Sequence, residues 1–198
     1  LHDDFDTFHD RIVLGKTQKE RIESAVNALT ELLLAAFELG PSDVFLQGSF
    51  PNGTAVKPDP EGENGEYDVD LVAICAGADQ SPEEALADLE AALSENEIYR
   101  KRIDRSDPGR PCVRLKYADE EIGGFHVDLV PARRTADAAV IEIPRPGENW
   151  KRSAPDEYRK WCIRQGDDFS RCVRMLKRWR DHSQDARHAV RSIVLQVL

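Results

Sequence analysis

Little in this 198-residue chain supports a metal–thiolate, disulfide-linked or membrane protein. The four cysteines, Cys75, Cys112, Cys162 and Cys172, include no CxxC pair, and the five histidines (His2, His9, His126, His182, His188) show no ligand spacing, which leaves no zinc motif. Three of the cysteines sit in apolar surroundings and read as reduced core thiols of a cytoplasmic protein. No apolar run approaches the ~20 residues that a membrane helix requires. The N-terminus lacks the basic-then-apolar order of a signal peptide. There is no internal repeat and no low-complexity tract. The chain opens on Leu1 rather than Met and closes on Ser192-Ile193-Val194-Leu195-Gln196-Val197-Leu198, inside what reads as a buried helix, so the expectation is a trimmed piece of a longer protein.

What is present is a chain 40% hydrophobic and 32% charged, with a net charge of -10, sized for one domain and part of a second. The charge is uneven. Residues 1–149 hold 31 acids against 15 bases, whereas residues 150–198 hold 6 against 12. An acidic body argues against a nucleic-acid partner, which needs a broad basic face. A local positive pocket could still take one polyanion, such as a nucleoside triphosphate.

Periodicity predicts an α+β order. Thr17-Gln18-Lys19-Glu20 reads as a capping box, followed by Ile22, Val26, Leu29, Leu33 and Phe37 at helical spacing, with Gly40-Pro41 as the stop. Val44-Phe45-Leu46 reads as a strand, residues 51–66 as a loop, and Tyr67 to Ile74 as a second strand. Ser81-Pro82-Glu83-Glu84 caps another helix, whose buried stripe is Leu86, Leu89, Leu93 and Ile98. Residues 100–111 are turn-rich. Val113 to Tyr117 and Phe125 to Val130 read as antiparallel neighbours. Beyond residue 150 the pattern turns helical: Pro155 to Gln165, Asp168 to His182, and a start at Arg191. The domain expectation is a core over 1–150 that includes the long first helix, then an incomplete helical lobe over 151–198.

The chemistry concentrates in three acids. Asp68 and Asp70 flank Val69 in an apolar run, and strand alternation points both to one face. Paired carboxylates repel and are costly to bury unless a cation lies between them. Asp128, within Phe125-His126-Val127-Asp128-Leu129-Val130-Pro131, is a third acid in a β-like run. Gly48-Ser49, about twenty residues before the pair, follows a strand; its glycine admits close approach of a phosphate, and its hydroxyl and amides can donate. Together these residues predict metal-dependent chemistry on a nucleotide. Two Mg²⁺ ions about 4 Å apart, with Mn²⁺ as a substitute, would serve the attacking and leaving oxygens of a nucleotidyl transfer. Asp68 and Asp70 would bridge them and Asp128 would complete one site.

Leu46-Gln47-Gly48-Ser49, Thr54, Asp68-Val69-Asp70-Leu71-Val72 and the Asp128 strand resemble the DNA polymerase β-type nucleotidyltransferase superfamily. More narrowly, residues 17–198 resemble the bacterial cyclic GMP-AMP synthase/DncV-like enzymes, the CD-NTases. The resemblance implies a polymerase β-like core, a mixed sheet flanked by helices, followed by a helical lobe. It also implies that Asp68, Asp70 and Asp128 are catalytic metal ligands and that Gln47, Gly48 and Ser49 contact the nucleotide. A lysine and, on the next helix, a serine hold the triphosphate in that family; Lys177 and Ser192 match those positions. The implied activity joins nucleoside triphosphates, ATP among them, into a cyclic or short linear second messenger for CBASS-type anti-phage signalling through a separate effector protein.

The remaining residues read more plainly. Lys177 shares its helix with Arg171, Arg174 and Arg178, with Val173, Leu176 and Trp179 as the expected core side. Thr54 supports the loop, Tyr67 packs, and Arg133 and Arg134 read as surface arginines. His126 shares a face with Asp128, while Phe125, Val127 and Leu129 face the core. Two other classes stay open: the same fold acting on RNA or another acceptor, and a catalytically silent nucleotide-binding module.

Overall fold

A computed structural model describes residues 2–58, 67–118, 124–145, 148–183, 190 and 194–197. The elements are α1 (His2–Ile12), α2 (Lys16–Ala36), β1 (Val44–Gln47), β2 (Tyr67–Ala73), α3 (Pro82–Glu95), α4 (Glu97–Arg102), β3 (Val113–Tyr117), β4 (Phe125–Pro131), β5 (Arg133–Arg134), β6 (Ile141–Arg145), β7 (Glu148–Ser153), α5 (Pro155–Arg164), α6 (Gly166–His182) and α7 (Val194–Val197). No helix among the described residues is long and apolar enough to cross a membrane.

The central sheet has the order β1-β2-β4-β3. β2 and β4 are parallel, and the other two pairs are antiparallel. Its helix-covered face comes from alternation. Tyr67, Val69 and Leu71 on β2, Phe125, Val127 and Leu129 on β4, and Val113, Leu115 and Tyr117 on β3 pack against Ile22, Leu29 and Leu33 of α2 and Leu89 and Leu93 of α3. Phe125 stacks between Tyr67 and Tyr117, at centroid distances of 5.6 and 4.6 Å. A second sheet, β5-β6-β7, buries Ile141 against Val72, Val130 and Ala132.

Several sequence expectations change. The first long helix is capped two residues earlier than Thr17: Gly15 N donates to Gln18 Oε1 at 2.9 Å, so Gln18 provides the return bond. The Ser81 cap forms as read, with Glu84 N on Ser81 Oγ at 3.2 Å and Ser81 N on Glu84 Oε2 at 2.8 Å. Ile98 does not extend the α3 stripe; Asn96 caps a new helix there and leaves Ile98 61% exposed. Strand structure persists past residue 150, because β7 runs to Ser153. The third helix of the last segment is described only as α7. Cys172 is exposed rather than buried, and all four cysteines are free thiols. On α6 the buried side is Val173 and Lys177, whereas Leu176 and Trp179 are 41% and 57% exposed.

Candidate active site

The register of the central sheet assembles the site. In the parallel pair, Asp70 lies opposite Asp128 and Asp68 opposite His126. On the other side of β2, Asp70 lies opposite Gln47, the last residue of β1. One acid therefore sits between the end of β1 and the third acid, and the Gly48 turn follows directly. Gly48 has φ +80, and a Cβ there would lie 2.2 Å from Asp70 Oδ2. Only glycine lets the backbone come this close to the carboxylate. Beyond it the turn closes on itself, with Thr54 N donating to the Ser49 carbonyl at 2.9 Å.

The three acids have different electrostatic settings. Asp68 is the most open, and His126 Nδ1, 3.4 Å from its Oδ1, is the main influence holding its pKa below the ordinary value, with Arg114 assisting. Asp70 is pushed up to about 7, first by burial and then by the charges of Asp128 and Asp68. Asp128 is buried and gripped by Arg114, whose Nε donates to Oδ1 at 2.6 Å and Nη2 to Oδ2 at 2.7 Å; Nη2 also reaches Asp68 Oδ1 at 3.1 Å. This bidentate pairing raises the Arg114 pKa further above its ordinary value.

Three carboxylates are the hard oxygen donors that suit a divalent cation, and Asp70, crowded by the charges of Asp128 and Asp68, is where added positive charge would be most favourable. Among the described residues, however, no three acid, histidine or cysteine side chains converge closely enough to hold a metal as they stand. Arg114 holds Asp128 and Asp68 by hydrogen bonds.

Lys177 is 4% exposed, its Nζ donating to the Thr54 carbonyl at 2.9 Å. It is not one more cation on a solvated face. It ties α6 to the turn that begins at Gly48, and burial brings its pKa down to about 8. Thr54 is itself fully buried and anchors this contact. Ser192 lies outside the described residues. Arg133 and Arg134 are engaged elsewhere: Arg133 with Glu142 at 2.7 Å and over the Trp150 ring, Arg134 with Asp43. Tyr67 packs in the core as read.

Two features escaped the sequence reading. One is Arg114; core-facing Val113, Leu115 and Tyr117 place it on the acid face of the sheet, a signal available from alternation. The other is the wall opposite the acids. Gln47, Gly48 and Asp70 line one side of a cleft of about 310 Å³, and Ser153, Ala154, Pro155 and Tyr158 line the other. Its two sides are brought together by β7 and the start of α5.

Comparison with known proteins agrees with this geometry. The Second Messenger Oligonucleotide or Dinucleotide Synthetase domain family matches residues 1–165. The cyclic dinucleotide synthase CdnG of Bradyrhizobium diazoefficiens is 39% identical over 98 residues, 49% of this chain and 21% of that protein. The structure of that CdnG in complex with GTP superposes with a TM-score of 0.63 at 24% identity, covering 81% of this chain and 45% of the other. Escherichia coli MS115-1 CdnC, in its complex with HORMA-deltaN, gives 0.72 at 16% identity over 98% and 61%. Vibrio cholerae DncV, a cyclic AMP-GMP synthase, gives 0.64 at 16% identity over 89% and 64%. The chain thus spans less than two thirds of the length of each of these proteins.

Proposed function

Because this chain belongs to the Second Messenger Oligonucleotide or Dinucleotide Synthetase family, as a bacterial CD-NTase, we propose that it transfers nucleotidyl groups between nucleoside triphosphates, giving a cyclic di- or trinucleotide or a short linear oligonucleotide and releasing pyrophosphate. ATP is taken to be among its substrates. The observation that carries this reading is Asp70, an acid crowded by two others, flanked by Gln47 and Asp128 and lying against the Gly48 turn at the edge of a cleft of about 310 Å³.

Asp68, Asp70 and Asp128 are the residues that would hold Mg²⁺. Two such ions, when bound, supply charge neutralisation at the transferring phosphoryl group and activate the attacking hydroxyl. The chain's own side chains provide the positioning that dominates phosphoryl transfer. Gly48 and Ser49 give a turn whose backbone can approach a phosphate. Lys177 holds that turn to α6 and brings a positive charge to the triphosphate's side of the site. Gln47, Ser153 and Tyr158 offer polar groups on both sides of the cleft for ribose and base. The GTP bound to CdnG and the ATP described with CdnC are consistent with triphosphates as substrates.

The biological setting that goes with this reading is CBASS-type anti-phage signalling in the cytoplasm, with a separate effector sensing the product. An RNA acceptor is disfavoured by the 31 acids against 15 bases in residues 1–149. The test is pyrophosphate release from ribonucleoside triphosphates with Mg²⁺, with and without added RNA. Release without RNA supports second-messenger synthesis; release only with RNA transfers the proposal to an RNA acceptor.

A further inference from the structure

Arg114 has a task of its own. Both oxygens of Asp128 and one of Asp68 are engaged by a single guanidinium, while Asp70 stays outside its grip. The arrangement is built in by the fold. Val113, Leu115 and Tyr117 are 6%, 0% and 7% exposed and fix the inward face of β3, so Arg114 must emerge on the face of the acids, directly opposite Asp128 in the β3–β4 register. Arg114 is also well enclosed, with a side-chain exposure of 20%.

We propose that Arg114 is a positioning residue that latches the acids in a cation-free arrangement and releases Asp128 and Asp68 when a divalent cation arrives together with a triphosphate. This rests on the reading of Asp68, Asp70 and Asp128 as cation ligands. A fork of donors and a divalent cation compete for the same carboxylate oxygens. A bare cation must displace the guanidinium and then face its charge at close range. A cation carried on a triphosphate brings anionic oxygens to which the freed guanidinium can turn. The latch therefore favours the cation–nucleotide pair over the cation alone.

The test follows binding of Mn²⁺ to the whole chain by electron paramagnetic resonance of the unbound ion, with and without a non-hydrolysable ATP analogue. The native protein should bind free Mn²⁺ weakly, and the analogue should tighten that binding by about tenfold or more. Arg114→Gln should bind free Mn²⁺ about tenfold tighter than native and lose most of the enhancement by the analogue. Arg114→Lys keeps the charge but not the fork and should fall between the two; should Arg114→Gln fail to fold, tighter binding of free Mn²⁺ by Arg114→Lys carries the test. Free Mn²⁺ binding no tighter than native in the variants that fold overturns the latch. Asp70→Asn separates this from failure of the underlying reading: undiminished Mn²⁺ binding there removes the carboxylates as ligands, whatever Arg114 does.

Discussion

Asparagine at position 70 should stabilise the cation-free protein while removing its chemistry. The Asp70 carboxyl is pushed up to about 7 from 3.8 by burial and by Asp128 and Asp68, so above neutral pH it is ionised against its surroundings. About three pKa units at ~1.4 kcal/mol each set a ceiling near 4 kcal/mol on the cost of that charge. Relaxation and water entry lower it, and we expect about 2 kcal/mol, or roughly 4–8 °C in Tm for a chain of this size. The sign with pH follows from linkage. The folded state keeps a proton that the unfolded chain gives up between about pH 4 and pH 7, so the stability associated with Asp70 is full below pH 4 and is lost as pH rises through 7. Asparagine does not titrate. Its advantage should be largest at pH 8 and shrink by more than half at pH 5. Thermal melts of native and Asp70→Asn protein in EDTA at the two pH values read this directly. A lower Tm for Asp70→Asn at pH 8, or an equal gain at both pH values, would refute the reasoning.

Asp128→Asn should have the opposite effect, because Arg114 loses its bidentate partner inside a mostly enclosed site; we expect a loss of about 2 kcal/mol in urea denaturation without cations. Gly48→Ala places a Cβ 2.2 Å from Asp70 Oδ2 on a backbone with φ +80, so it should cost about 1–3 kcal/mol in the same assay and lower synthesis at least a hundredfold. Lys177→Met leaves the Thr54 carbonyl without its buried donor and should destabilise the fold by about 1–2 kcal/mol while raising the KM for triphosphate more than it lowers kcat.

How much of this was legible depended on whether a residue's role is local or set by register. Asp68, Asp70 and the Gly48-Ser49 turn could be read because strand alternation and glycine's freedom are local rules, and Asp128 because it stands in an equally apolar run. Alternation alone could have put Arg114 on the acid face, but its pairing with Asp128 follows from β3 meeting β4 at one register, which no short window contains. The β5-β6-β7 sheet was missed for a related reason: β5 has two residues, β6 carries Pro144, and β7 is polar, so packing of Ile141 on Val72 and Val130 decides it rather than propensity. On α6, apolar Leu176 and Trp179 suggested the wrong side. The helix instead buries Lys177, which has Thr54 to satisfy it, and contact with the Gly48–Thr54 turn overrides the hydrophobic stripe.

The most direct measurement is mass spectrometry of the products that the protein forms from all four ribonucleoside triphosphates with Mg²⁺, in parallel with Asp70→Asn. A cyclic or short linear oligonucleotide with stoichiometric pyrophosphate, present for the native protein and missing for the variant, is the predicted result. Product made equally by both proteins, or product that appears only when RNA is added, would contradict second-messenger synthesis at this site.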